Sequence, residues 1–221
     1  MTNEEKNTFL FADLAGFTAL TEAHGDQEAV QLADEFYDTL RRLLPGYRAE
    51  EVKTIGDAMM IRAHDARRAV ELGLRIVDEL GARPNFPIVR VGMHTGSAIE
   101  RGGDWFGAAV NLAARISASA GGKEVLLSEA TRKAAGNASD LEYHRHGTEL
   151  FKNVREPVRL YRAVAKGKGS EELPIDPVCR MAVDVGTGAG RLSHGGREFY
   201  FCSLDCARQF AADPDSFAAR P

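Results

Sequence analysis

Cysteine is scarce and unevenly placed. The chain of 221 residues has three, Cys179, Cys202 and Cys206, all in its last fifth. An odd number so clustered excludes a disulfide framework as the basis of the fold and leaves metal ligation or thiol chemistry open. Long apolar runs are missing as well. No stretch nears the roughly 18 to 20 residues that span a bilayer. The N-terminus, MTNEEKNTFLFADL, has no basic region followed by an apolar one, so no secretory signal is expected. The expectation is a cytoplasmic protein without a membrane partner. Cationic excess is also absent: 28 Lys and Arg stand against 32 Asp and Glu, a net charge of −4. That balance speaks against a nucleic-acid surface. No internal repeat or low-complexity tract is present.

The remainder is ordinary folded-protein composition, 44% hydrophobic and 27% charged. The length suits one full-sized domain and one small one. Phe9–Phe11 read as a buried strand ending at Asp13. Residues 26–44 carry Val30, Ala33, Phe36, Tyr37, Leu40 and Leu44 at helical spacing, and Pro45-Gly46 stops that helix. EEVKTIGDAMMIRA reads as a hairpin turning at Gly56-Asp57. Further segments predict a helix over 65–80, a strand in FPIVRVGMHTG and a helix over 108–118. A short strand and helix in KEVLLSEATRKAA and two closing strands follow. The β-α-β-β-α-β order predicts an α+β, ferredoxin-like (split βαβ) fold. KGKGSEELP then reads as a linker, leaving about 45 residues too few for a large core without a staple.

Two carboxylates stand at the ends of this pattern. Asp13 closes the first strand and Asp57 lies in the hairpin turn, and the split βαβ plan makes those elements neighbours. Hard oxygen ligands that leave room for phosphates suit Mg2+ or Mn2+. Two such ions, about 3.5–4 Å apart, support in-line displacement at phosphorus. Ala15-Gly16-Phe17-Thr18 offers backbone N–H groups to phosphate.

Four strings carry a family resemblance: F-A-D-L-A-G-F-T (11–18), K-T-I-G-D (53–57), V-G-M-H-T-G (91–96) and D-W-F-G-A-A-V-N-L-A-A-R (104–115). Residues 7–165 resemble a class III adenylate or guanylate cyclase domain. The resemblance implies metal binding at Asp13, the adjoining Leu14 and Asp57, with two Mg2+ or Mn2+ per site. It implies phosphate contacts from Gly16, Phe17 and Thr18, and adenine selection by Lys53 and Asp104. Asn111 would orient the ribose and Arg115 would stabilise phosphate charge. Lys152 falls near a phosphate-contacting lysine, although Asn153 stands where relatives have glycine. In this family the site forms between two subunits, so a homodimer with shared sites is implied, with ATP as substrate. The activity implied is that of an adenylate cyclase, a phosphorus–oxygen lyase. A guanylate cyclase, or a non-catalytic nucleotide- and metal-binding scaffold, is the alternative. The Lys/Asp pair favours adenine, because an ammonium can donate to a ring nitrogen while a carboxylate accepts from the N6 amine. Gly102-Gly103-Asp104-Trp105-Phe106 superficially matches the signature of diguanylate cyclases, but Trp105 replaces its glutamate. His94 reads as a structural strand histidine.

After a linker over 166–173, residues 174–219 resemble a YHS domain, related to TRASH metal-binding modules, through D-P-V-C-R-M and F-Y-F-C-S-L-D-C. Arg180 stands where that family usually has glycine. Cys202 and Cys206, spaced i, i+4, with Cys179 give three thiolates suited to Zn2+ or Cu+. His194 is a candidate fourth ligand. The competing reading is a mini-core of small thiols among Phe199, Phe201, Phe210 and Phe217.

Overall fold

Phe9, Leu10 and Ala12 are fully buried in β1 (Lys6–Leu14), as befits a central strand covered on both faces. The computed structural model describes residues 6–167 and 173–218. The predicted linker over 166–173 therefore falls largely outside the described residues, as does residue 219. After β1 come α1 (Phe17–His24), α2 (Asp26–Leu43), β2 (Ala49–Ile55), β3 (Ala58–Ala63) and α3 (Ala66–Gly81). They are followed by β4 (Val89–Ser97), β5 (Ile99–Arg101), β6 (Asp104–Phe106), α4 (Ala108–Ser119), β7 (Val125–Ser128) and α5 (Glu129–Ala135). Strands β8 (Leu141–Glu149) and β9 (Val158–Ala165) close this part. The C-terminal stretch has β10 (Gly190–His194), β11 (Arg197–Phe201), α6 (Leu204–Ala212) and α7 (Pro214–Ala218). No described helix is long and apolar enough to cross a membrane.

The main sheet has the order β2-β3-β1-β4-β7-β9-β8. Its β2-β3-β1-β4 portion is the ferredoxin-like arrangement expected from sequence, extended by three strands beyond β4. The fold is α+β. β4 and β7 run parallel, while β1/β3, β2/β3, β7/β9 and β8/β9 are antiparallel.

Two compact units divide the chain. One comprises Met1–Asp13, Tyr37–Val77 and Val89–Gly169, and the other Leu14–Phe36, Asp78–Ile88 and Ser170–Pro221. In the first, α4 packs on the sheet through Ala109, Val110 and Ala113 against Phe9, Phe11 and Met60. Gly92 makes the close crossing possible, since a Cβ there would lie 2.0 Å from the Ser117 backbone nitrogen. Ser117 donates its hydroxyl to the Phe11 carbonyl oxygen at 3.0 Å, pinning the helix.

In the second unit the chain after residue 170 hydrogen-bonds to the stretch before β4. Asn85 N–H donates to Ala182 O, Ala182 N–H to Phe86 O, and Ile88 N–H to Arg180 O. Packing thus groups the C-terminal module with α1, the start of α2 and residues 78–88. A ring cluster of Phe199, Phe201 and Phe217 around Phe210, with centroids 4.8 to 6.4 Å apart, fills the module's core.

Two expectations need correction. Val30 is exposed (58%); the buried face of α2 is Ala29, Leu32, Ala33, Phe36, Tyr37 and Leu40, one position out of register with the first turn as read. The segment after Asp13 also forms a separate helix, α1, which has no side-chain cap and is bounded by Gly16 and Gly25.

Candidate active site

The β1/β3 ladder places Asp13 opposite Ala58, the residue after Asp57. Gly56, with φ of 60°, and Asp57 make the two-residue turn between β2 and β3. The Tyr37 hydroxyl donates to the Gly56 carbonyl oxygen and anchors that turn. The two carboxylates interact: Asp13 is raised to about 6, first by burial and further by the neighbouring Asp57, against the opposing pull of Arg90. Arg90 Nε and Nη2 lie 2.7 and 2.6 Å from Asp13 Oδ2. A desolvated carboxylate beside a second one, with hard oxygen donors, fits a divalent cation of the Mg2+ or Mn2+ type.

Lys53 Nζ and Asp104 Oδ2 are 2.6 Å apart. A register shift between Glu51 and Lys53 leaves Val52 as an extra residue in β2. Such a bulge re-aims the side chains that follow it. Val52 packs on the core beside Phe9 and Met60, while Lys53 also lies 5.7 Å from the Phe106 ring centre. Asp104 opens β6, so Gly102-Gly103 turn a short β5/β6 hairpin, and α4 begins directly after it at Ala108, as the sequence suggested. Its carboxyl is held below the usual range by the Lys53 hydrogen bond. Among the described residues no hydrogen bond or ion pair joins the Lys53/Asp104 pair to Asp13 or Asp57.

Asn111 and Arg115 sit one turn apart on α4, the first exposed and the second half-buried. Arg115 forms no ion pair among the described residues. Lys152 is exposed in a turn, followed by Asn153 at φ 62°. Leu14 ends β1 and is buried; Gly16, at φ 86°, precedes α1, with exposed Gly16 and Thr18 flanking half-buried Phe17.

In the second unit the Sγ atoms of Cys179 and Cys202 are 3.3 Å apart, and those of Cys202 and Cys206 3.9 Å. Ser203 caps α6, accepting from Cys206 N–H, so Cys206 lies in the first turn of that helix and Cys202 just before the cap. His194 is not with them: its Nε2 lies 2.9 Å from Asp215 Oδ1 and its ring packs edge-on to Phe210. His24 takes the place considered for it, with Nε2 3.5 Å from Cys202 Sγ.

A family model for the adenylate and guanylate cyclase catalytic domain matches residues 1–162, and one for the YHS domain matches 175–220. The chain belongs to the adenylate and guanylate cyclase family. The chain is 35% identical over 158 residues to a pH-sensitive adenylate cyclase of Mycobacterium tuberculosis, a match covering 70% of this chain and 40% of that one. It is 34% identical over 176 residues to an adenylate cyclase of Streptomyces griseus, covering 78% and 43%. The chain thus spans about two fifths of these relatives' length. Adenylate cyclases of Trypanosoma brucei, solved in their monomeric state, share the fold at a TM-score of 0.67 and 24% identity, covering 75% of this chain and 93% of theirs.

Two features of this chain escaped the sequence, and a third, at Arg180, showed there only as a departure from glycine. Arg90 sits between Val89 and Val91, where alternation already set it on a different face from its buried neighbours. Asp176, fully buried, accepts from Val178 N–H and Cys202 N–H at 2.9 Å each and so ties the two cysteine-bearing segments together. Arg180 holds φ at 66°, the left-handed region a glycine adopts freely, and a Cβ on Gly16 would come within 2.6 Å of its Cγ.

His94 donates or accepts at Ser128 Oγ, 2.8 Å away, and burial lowers its pKa from 6.5 to about 4. The unfolded chain then binds more protons than the folded one between these values, so stability falls as pH drops through that window. Between pH 7 and 5 this residue removes about 2 kcal/mol at about 1.4 kcal/mol per pH unit. Asp13, whose pKa is raised, works in the opposite direction as pH falls through 6. Urea midpoints at pH 7 and 5 for wild type and His94→Gln separate the two: the variant loses less on acidification, and an equal loss in both contradicts the assignment.

Proposed function

We propose that this chain is an adenylate cyclase that converts ATP to 3′,5′-cyclic AMP and pyrophosphate, working in the cytoplasm as a homodimer. The observation that carries the reading is the Lys53–Asp104 pair at 2.6 Å, two polar groups from separate elements meeting at one place. Lys53 donates to an adenine ring nitrogen and Asp104 accepts from the N6 amine. Guanine offers an oxygen and a ring N–H instead, which leaves this pair mismatched and unpaired.

Asp13, with the Leu14 backbone, and Asp57 would hold two Mg2+ or Mn2+ ions, which would supply Lewis acidity to the ribose 3′-hydroxyl and charge compensation to the phosphates. The 3′-oxygen forms a bond to the α-phosphorus, the bond to the bridging oxygen breaks, pyrophosphate leaves, and the hydroxyl proton passes to solvent. Asn111 orients the ribose. Arg115, which forms no ion pair among the described residues, places its guanidinium against charge that grows on the phosphates. Gly16, Phe17 and Thr18 present backbone N–H groups to the phosphates, and Lys152 adds a cation.

A dimer is supported by Ile99 and Phe106, which face each other across the β5/β6 hairpin and are 73% and 51% exposed. Adjacent large apolar side chains of that kind mark a contact surface. The same hairpin carries Asp104, so pairing through it brings the adenine-selecting residues of one copy toward the carboxylates of the other. The YHS domain is read as a metal- or redox-responsive element that tunes output.

Initial rates on ATP and GTP test the assignment. Lys53→Glu lowers the ATP rate on the order of 100-fold, the cost of losing a charged hydrogen bond and leaving Asp104 beside a like charge. An unchanged ATP-to-GTP ratio in that variant contradicts the adenine-selecting role.

A further inference from the structure

The three thiols fall short of the four protein ligands of a closed structural zinc site. His24, at the C-terminal end of α1, stands beside them. Its Nε2 is 3.5 Å from Cys202 Sγ and 3.8 Å from Cys206 Sγ, and one donor atom from each of His24, Cys179, Cys202 and Cys206 lies within 4.8 Å of all the others. A tetrahedral ion with bonds of about 2.3 Å to sulfur and 2.0 Å to nitrogen sets its ligand atoms about 3.8 Å (S···S) and 3.5 Å (S···N) apart. The observed sulfur pairs, 3.3 and 3.9 Å, bracket the first edge, and the sulfur–nitrogen pairs, 3.5 and 3.8 Å, lie at or just above the second. Bonds among free thiols do not require an imidazole nitrogen at the fourth corner.

The surroundings are organised as they are around bound metals. His24 Nδ1 lies 3.2 Å from Oε1 of Glu28, in the first turn of α2, which leaves Nε2 as the ligand atom and orients the ring. Asp176 fixes the Cys202 backbone and the turn before Cys179, and Ser203 fixes that of Cys206. Cys179 and Cys206 are buried, while His24 and Cys202 are partly exposed. His24 also lines an open groove with Gln27, Glu28, Gln31 and Leu32.

We propose that His24, Cys179, Cys202 and Cys206 form a tetrahedral Zn2+ site whose fourth ligand comes from the cyclase sequence rather than from the YHS module. All four lie in the same compact unit. Binding releases thiol protons to solvent, and it fixes the C-terminal end of the helix whose first residues, Phe17 and Thr18, follow Gly16. The site makes α1 and the YHS module a single metal-stapled piece. This inference does not depend on the chain being a cyclase.

The test uses the full chain, reduced, stripped with a chelator and titrated with Co2+ and Zn2+. One ion per chain is expected, with the sulfur-to-cobalt charge-transfer bands and strong visible bands of a tetrahedral centre. His24→Ala weakens Co2+ and Zn2+ binding at least ~10-fold, and Glu28→Ala, at an exposed surface position, weakens it ~10-fold while leaving the cobalt spectrum tetrahedral. Zn2+ slows amide hydrogen exchange in Phe17–His24 of wild type but not of His24→Ala. A wild-type chain that binds no ion, or a His24→Ala chain with wild-type affinity and spectrum, overturns the proposal. Should His24→Ala fail to fold, Glu28→Ala and the exchange of α1 decide: neither weaker binding nor slowed exchange overturns it equally.

Discussion

Asp57→Ala lowers cyclic nucleotide formation on the order of 1000-fold or more, while the protein stays folded. The size follows from what the carboxylate faces. Asp13 and Asp57 are brought together by the β1/β3 register, and Asp13 is already raised to about 6 by burial and by its neighbour. Two such groups gain most when a divalent ion neutralises both. Losing one donor removes charge compensation that is needed most in the transition state, worth several kcal/mol in comparable sites. Folding is spared because Asp57 is half-exposed in a turn whose conformation depends on Gly56 and on the Tyr37 hydroxyl. Rates by product chromatography and circular dichroism of the same sample check both halves. A variant retaining more than a tenth of wild-type activity contradicts the role given to Asp57.

Arg115→Ala is expected to be equally silent alone, and mixing it with Asp57→Ala restores activity. If each site takes its carboxylates from one copy and Arg115 from the other, a mixed dimer has one site with both lesions and one with neither. Random pairing of equal amounts makes half the dimers mixed, so about a quarter of wild-type activity returns. No route to that recovery exists if one copy builds its whole site alone. Among the described residues no hydrogen bond or ion pair joins the Lys53/Asp104 pair to the two aspartates, which agrees with the shared arrangement, as does the exposed Ile99/Phe106 pair. Activity measured after co-refolding the two variants decides it; a mixture as inactive as its parts contradicts the shared site.

Much of this was legible in the residues. Gly56-Asp57 between two β-rich runs specified the hairpin, and the β-α-β-β-α-β order specified the strands that flank Asp13. Lys53 and Asp104 were singled out as a pair through the family resemblance, and the structure sets their charged atoms 2.6 Å apart. What the sequence withheld was mostly set by tertiary contact. Helix α1 is short, uncapped by side chains and begins at a glycine suited to a phosphate loop, so local signals did not distinguish helix from loop. Val30 satisfied helical spacing as well as Ala29 did, and only packing chose between them. The Gly102-Gly103 hairpin is formed by strands of three residues, below the length at which alternation is readable. His24 is 179 − 24 = 155 residues from Cys179, and no spacing rule spans that gap. His194, much nearer in sequence, was the natural suspect, yet the β10/β11 hairpin turns it toward Asp215 and Phe210.

The measurement that bears most directly on the central claim is product formation by the purified full chain, supplied with Mn2+ or Mg2+ and, in separate reactions, ATP and GTP. The account predicts 3′,5′-cyclic AMP and an equal amount of pyrophosphate from ATP, with GTP a poor substrate. No cyclic nucleotide from either triphosphate, in a protein shown to be dimeric and metal-loaded, contradicts it.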